Sequence, residues 1–138
     1  MLFRSLGWEF IHLYGLTETA PLLTTSRPDA TTESDDWARR SRAGVAGLGI
    51  DLQVLGDDGK VVPKDGVSIG EICARSNVVF AGYYEQPDQT AEAVYDGYFH
   101  TGDLAVWDEY ENIHIVDRKK DVIISGGENI SKIGRAHV

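Results

Sequence analysis

The chain has 138 residues, enough for one ordinary domain, and its 42% hydrophobic residues supply a core, which excludes wholesale disorder. A net charge of −9 argues against a nucleic-acid-binding surface, which needs clustered Lys and Arg, but leaves small phosphate ligands open because backbone N–H groups hold them locally. The single cysteine, Cys73, excludes an internal disulfide framework, and no apolar run nears the ~20 residues of a transmembrane segment. The start of the chain has neither the apolar stretch nor the cleavage site of a signal peptide, so a cytoplasmic protein is expected.

Trp8 to Tyr14 is mostly apolar and stops at Gly15, which predicts a buried strand meeting a turn. Ser26 to Arg42 is polar and reads as a surface loop or short exposed helix. Ile50 to Leu55 alternates apolar and polar residues, as a half-buried strand does. Asp57-Asp58-Gly59-Lys60 and Lys64-Asp65-Gly66 supply turn chemistry, and Glu71 to Arg75 reads as a further alternating strand. Short strands at this spacing predict a small barrel or sandwich. Asp88 to Tyr95 is the best helix, opened by Pro87 and closed by Gly97. Trp107, the polar run 108–112 and Ile113 to Val116 read as strand, turn, strand. Val122 to Ile124 is a short strand, and residues 125–129 form a turn-rich loop.

Three segments carry the chemistry: Tyr14-Gly15-Leu16-Thr17-Glu18-Thr19, His100-Thr101-Gly102-Asp103-Leu104, and Asp117-Arg118-Lys119-Lys120-Asp121 followed by Ile124-Ser125-Gly126-Gly127-Glu128-Asn129. From their residue types alone, each has a plain alternative. Thr17-Glu18 also suits a polar turn after a strand, and Asp103 beside Gly102 suits an Asx-turn. The charged run suits a solvated strand end, and Gly126-Gly127 suits a hairpin turn. Cys73 reads as a small buried hydrophobe, and the four histidines show no metal-ligand spacing.

Together and in this order the segments resemble the later motifs of the adenylate-forming superfamily. With Gly82-Tyr83-Tyr84, the match is most similar to fatty-acyl-CoA synthetases. The resemblance implies an α+β, β-rich chain. Residues 6–117 would be the C-terminal part of the large domain with its β-barrel subdomain, and 118–131 the hinge and first strands of the small domain. It implies ATP, Mg²⁺ and coenzyme A as ligands and a carboxylic acid, a fatty acid by overall likeness, as substrate. Thr17 would contact the α-phosphate, and Glu18 would hold the metal. Tyr14 would lie against the adenine, with Gly15 in the same binding segment. Asp103 would take the ribose hydroxyls, and Arg118 the ribose or phosphate. Lys120 would be the hinge of a domain rotation between the adenylate and thioester steps. Gly126 and Gly127 would line the path of the pantetheine arm.

The family's phosphate-gripping loop and its adenylation lysine have no counterpart here, so the chain is expected to be an internal fragment, inactive alone. Residues 1–5 and 132–138 resemble translated sequencing adapters and are expected to be non-native. Two other readings stay open: an adenylation domain loading a carrier-protein thiol, and a non-catalytic β-rich interaction module.

Overall fold

Alternating burial in one strand and continuous burial in its neighbour set the architecture. In the computed structural model, which describes residues 7, 10–27, 37–125 and 128–131, ten strands and two short helices follow one another along the chain. The first sheet is β1 (His12–Tyr14), β2 (Thr24–Ser26) and β3 (Val45–Ala46), in that spatial order, with α1 (Trp37–Arg40) between β2 and β3 in sequence.

The second sheet holds five strands. β4 (Asp51–Leu55) pairs with β5 (Gly70–Arg75), and β5 pairs with β7 (Tyr98–Trp107), all antiparallel. β6 (Val94–Tyr95) and β8 (Ile113–Arg118) both pair with β7, β6 near its start and β8 along its second half. β9 (Val122–Ser125) and β10 (Glu128–Ser131) form a separate hairpin.

β4 buries Leu52 and Val54 and leaves the residues between them half-buried, as its period-two pattern predicts. β5 departs from the alternation expected of it: Gly70 to Ala74 are all buried. Ile72 and Ala74 face the apolar core, while Glu71 and Cys73 face the other side and are covered by His100 and its neighbours on β7. The core joins both sheets through Leu23, Val54, Ile72, Trp107 and Ile113, each worth about 1.5–3 kcal/mol of transfer free energy when fully buried. Backbone bonds between Ala43 or Gly44 and Ile113 fasten the first sheet to β8.

The expected helix is present but ends earlier: α2 runs Pro87–Ala93, and Val94-Tyr95 are strand. The β-branched and aromatic pair suits the ladder with Phe99 and Tyr98, and Asp96-Gly97 make the tight turn with both φ positive. The polar stretch 108–112 is the turn predicted, closed by Asp108 accepting the N–H groups of Tyr110 and Asn112.

β7 is longer than the sequence indicates, because the His100–Leu104 motif lies inside it. Glu71 pairs with Leu104 and Cys73 with His100, so two steps along β5 match four along β7. The two surplus residues bow out around Gly102, whose φ is +76°. Asp103 is therefore presented by a bulge within a strand, not by a turn at a strand entrance.

Candidate nucleotide site

The loop between β1 and β2 begins at Gly15, where a Cβ would lie 1.7 Å from the Pro21 carbonyl oxygen. Only glycine lets the two ends of the loop approach this closely. Thr17–Thr19 form a single 3₁₀ turn. Its lock is Thr19, which is fully buried: the Thr19 hydroxyl donates to the Leu16 carbonyl and accepts the Leu16 N–H, both at 2.9 Å. With Thr19 turned inward, Thr17 is exposed and Glu18 half-exposed. The Tyr83 hydroxyl donates to Glu18 Oε1 at 2.9 Å, and the Phe80 N–H donates to the Glu18 carbonyl at 2.8 Å, so the acidic side chain is aimed from two directions.

Across from this loop, three strands converge on Asp103. The Tyr14 hydroxyl, from β1, donates to Asp103 Oδ2 at 2.8 Å. Arg118 Nε, at the end of β8, lies 3.2 Å from Asp103 Oδ1. Asp103 itself is 6% exposed, whereas the Arg118 side chain is 70% exposed, so the carboxylate is fixed and its cation is adjustable. Burial pushes the Tyr14 phenol well above its ordinary pKa, and the neighbouring Asp103 charge adds to this, so the phenol remains a donor. Each carboxylate oxygen has two lone pairs, so Asp103 keeps acceptor capacity beyond Tyr14 and Arg118.

Gly15, Thr17, Glu18, Asp103, Arg118 and Lys120 line one cleft of about 750 Å³. Residues separated by a hundred positions thus share a cavity carrying two carboxylates, two cations and a free-facing hydroxyl. Such a mix suits a ligand with phosphate, sugar hydroxyls and a bound cation. Gly126 and Gly127 lie outside the described residues, as do residues 1–5 and 132–138. β9 and β10 pair antiparallel on either side of the two glycines.

Beside the cleft lies a second polar cluster that spacing did not reveal. Glu71, Cys73 and His100 bring their ligating atoms within 4.8 Å of one another, with Lys119 Nζ 3.0 Å from Glu71 Oε2. Glu71 and Cys73, two apart on one strand face, were a readable signal; His100 arrives from the neighbouring strand.

A family model described as AMP-binding enzyme matches residues 2–84. The chain belongs to this family. Among curated AMP-binding relatives, the long-chain-fatty-acid–CoA ligase of Thermus thermophilus is 38% identical over 136 residues, covering 95% of this chain and 25% of the relative. The 4-hydroxybutyrate–CoA ligase 2 of Metallosphaera sedula is 39% identical, covering 94% and 24%. The unliganded O-succinylbenzoate coenzyme A synthetase of Bacillus subtilis superposes with a TM-score of 0.79 at 27% identity, over 95% of this chain and 27% of that one. A Mycobacterium tuberculosis fatty acyl CoA synthetase gives 0.71 at 34% identity, over 93% and 24%. The β-rich fold expected from the sequence is therefore that of adenylate-forming enzymes, and the chain spans about a quarter of the length of these relatives. Among the described residues no helix is long and apolar enough to cross a membrane.

Proposed function

We propose that this chain is the part of an AMP-forming acyl-CoA synthetase that grips the nucleotide's sugar and α-phosphate and carries the joint between its two domains. The observation that supports this most is the common cleft of Glu18, Asp103 and Arg118. In the reaction, a substrate carboxylate oxygen attacks the α-phosphorus of ATP, and the bond to pyrophosphate breaks. The sulfur of coenzyme A then attacks the acyl carbon and AMP leaves. Asp103 accepts the ribose hydroxyls with the lone pairs that Tyr14 and Arg118 leave free. The Thr17 hydroxyl donates to an α-phosphate oxygen, and the exposed Arg118 guanidinium in the same cleft is the proposed contact to that phosphate or to the ribose. Gly15 keeps the Thr17 loop in register with Pro21. Glu18 offers the hard oxygen ligand that Mg²⁺ prefers, and the ion when bound neutralises phosphate charge.

The same reading puts residues 6–117 in the large domain and 118–131 at the hinge and start of the small one. Two features support the division: β8 ends at Arg118, and the β9–β10 hairpin pairs with neither larger sheet. Lys120, exposed in the turn Lys119–Asp121, is the proposed pivot. Relatives named as CoA ligases support coenzyme A over a carrier-protein thiol as acceptor, and enzymatic use over a passive module; their named acids range from a long-chain fatty acid to 4-hydroxybutyrate, and a fatty acid is the substrate proposed. A cytoplasmic location completes the proposal; the single, buried and unbridged Cys73 is compatible with a reducing compartment. The test is titration of ATP with Mg²⁺ into the full-length protein carrying this chain. Binding is expected, with Glu18→Gln impairing adenylate formation in a pyrophosphate-release assay; wild-type affinity and rate in that variant would defeat the metal assignment.

A further inference from the structure

We infer that Glu71 is a positioning residue whose two oxygens couple the Asp103 bulge to the turn after β8, the Lys119–Glu71 pair being a releasable tether of that turn. The inference rests on the function proposed above. Glu71 is 7% exposed, on the face of β5 turned away from the apolar core. Its Oε1 accepts the Gly102 N–H at 3.0 Å, which fixes the surplus loop of β7 one residue before Asp103. Its Oε2 accepts from Lys119 Nζ at 3.0 Å and lies 3.2 Å from His100 Nδ1. His100 is held flat against Tyr95, with ring centroids 3.6 Å apart and 8° between planes. One buried carboxylate therefore touches both the residue preceding Asp103 and the residue preceding Lys120.

The two contacts differ in permanence. Gly102 is backbone within a sheet strand. Lys119 belongs to the turn leading to the separate β9–β10 hairpin, and its side chain is 50% exposed. When the turn moves, the ammonium can withdraw into water while Glu71 keeps Gly102 and His100 as partners. The cluster has the residue types of a metal site, yet the Lys119 ammonium already supplies the counter-charge to Glu71. The Cys73 thiol, fully buried and pushed up to about 12 by burial and the Glu71 charge, is a poor ligand. The arrangement is an ion-pair anchor at the edge of the nucleotide cleft.

The experiment measures both half-reactions, pyrophosphate release and thioester formation from preformed adenylate, in the full-length protein carrying this chain. Lys119→Met should change the ratio of the two rates by about threefold or more, the scale of a half-exposed ion pair, with the KM for ATP unchanged. Lys119→Arg should restore the ratio. Glu71→Gln should change the ratio and also raise the KM for ATP, because Gly102 loses a charged acceptor. An unchanged ratio, an equal fall in both steps, or failure of Lys119→Arg to rescue would overturn the tether. If the wild-type protein makes no acyl-adenylate, the function proposed above fails instead. The tether is then judged by amide hydrogen exchange: both Lys119→Met and Glu71→Gln should speed exchange at residues 119–122 and spare 72–75, and unaltered exchange at 119–122 overturns it.

Discussion

Tyr14 donates its phenolic hydrogen to Asp103 at 2.8 Å, a bond that spans 89 positions of sequence and ties the edge of the first sheet to the bulge of the second. Tyr14→Phe removes the donor and keeps the ring. Unfolding in urea should show a loss of about 1 kcal/mol, the usual net worth of such a hydrogen bond. Spectrophotometric titration should show one fewer slow, late-ionising tyrosine in the variant, since burial and Asp103 hold this phenol above the ordinary range.

Gly15→Ala tests the close approach in the Thr17 loop. The new methyl would meet the Pro21 carbonyl and the Leu22 Cα, both rigid backbone, so the loop must shift instead of a side chain. A loss of about 3 kcal/mol or more in denaturant unfolding is expected, at the upper end of overpacking costs. Gly59→Ala is the control: nothing lies within 4 Å of its Cβ position, and only the strain of its φ of +73° remains.

Acid should weaken the chain in part through Glu71. Burial pushes its carboxyl up, but hydrogen bonds from Lys119 and His100 and the Lys119 charge outweigh burial and leave it below the usual 4.5. A carboxylate with a lowered folded pKa contributes fully above its unfolded value and loses that contribution as pH falls through the folded one. The urea midpoint should therefore fall as pH drops below about 4.5, and Glu71→Gln should flatten that part of the profile. Parallel profiles for the two proteins would refute the assignment.

Cys73 should be silent to thiol-disulfide exchange reagents at pH 8. Its side chain is fully buried, and its thiol sits far above the ordinary range, so thiolate is scarce and inaccessible. Labelling should appear only with denaturant and follow the unfolding curve. Rapid labelling of the native protein would contradict the packing of β5 on β7.

Local patterns revealed the elements whose two faces differ in solvent. Ile50 to Leu55 alternates because β4 has one covered face, and its burial follows residue by residue. Glu71 to Arg75 carries the same alternation yet is covered on both sides, since a polar cluster can bury a strand face as well as an apolar one. Gly102-Asp103 looks like a turn because bulges and turns need the same permissive glycine. The meeting of Tyr14, Asp103 and Arg118 was not legible in spacing at all, for it depends on the order of strands in two sheets. Only the resemblance of the three motifs to a known family implied a shared ligand for them.

The slip between β5 and β7 is of two residues, an even number, and this has an evolutionary consequence. Inward and outward positions keep their phase across the bulge, so Phe99 and Ala105 both remain buried on either side of it. The bulge that presents Asp103 thus sits between two stretches of β7 that keep the same buried face, which lets sequence drift reshape that tip without renegotiating the interior.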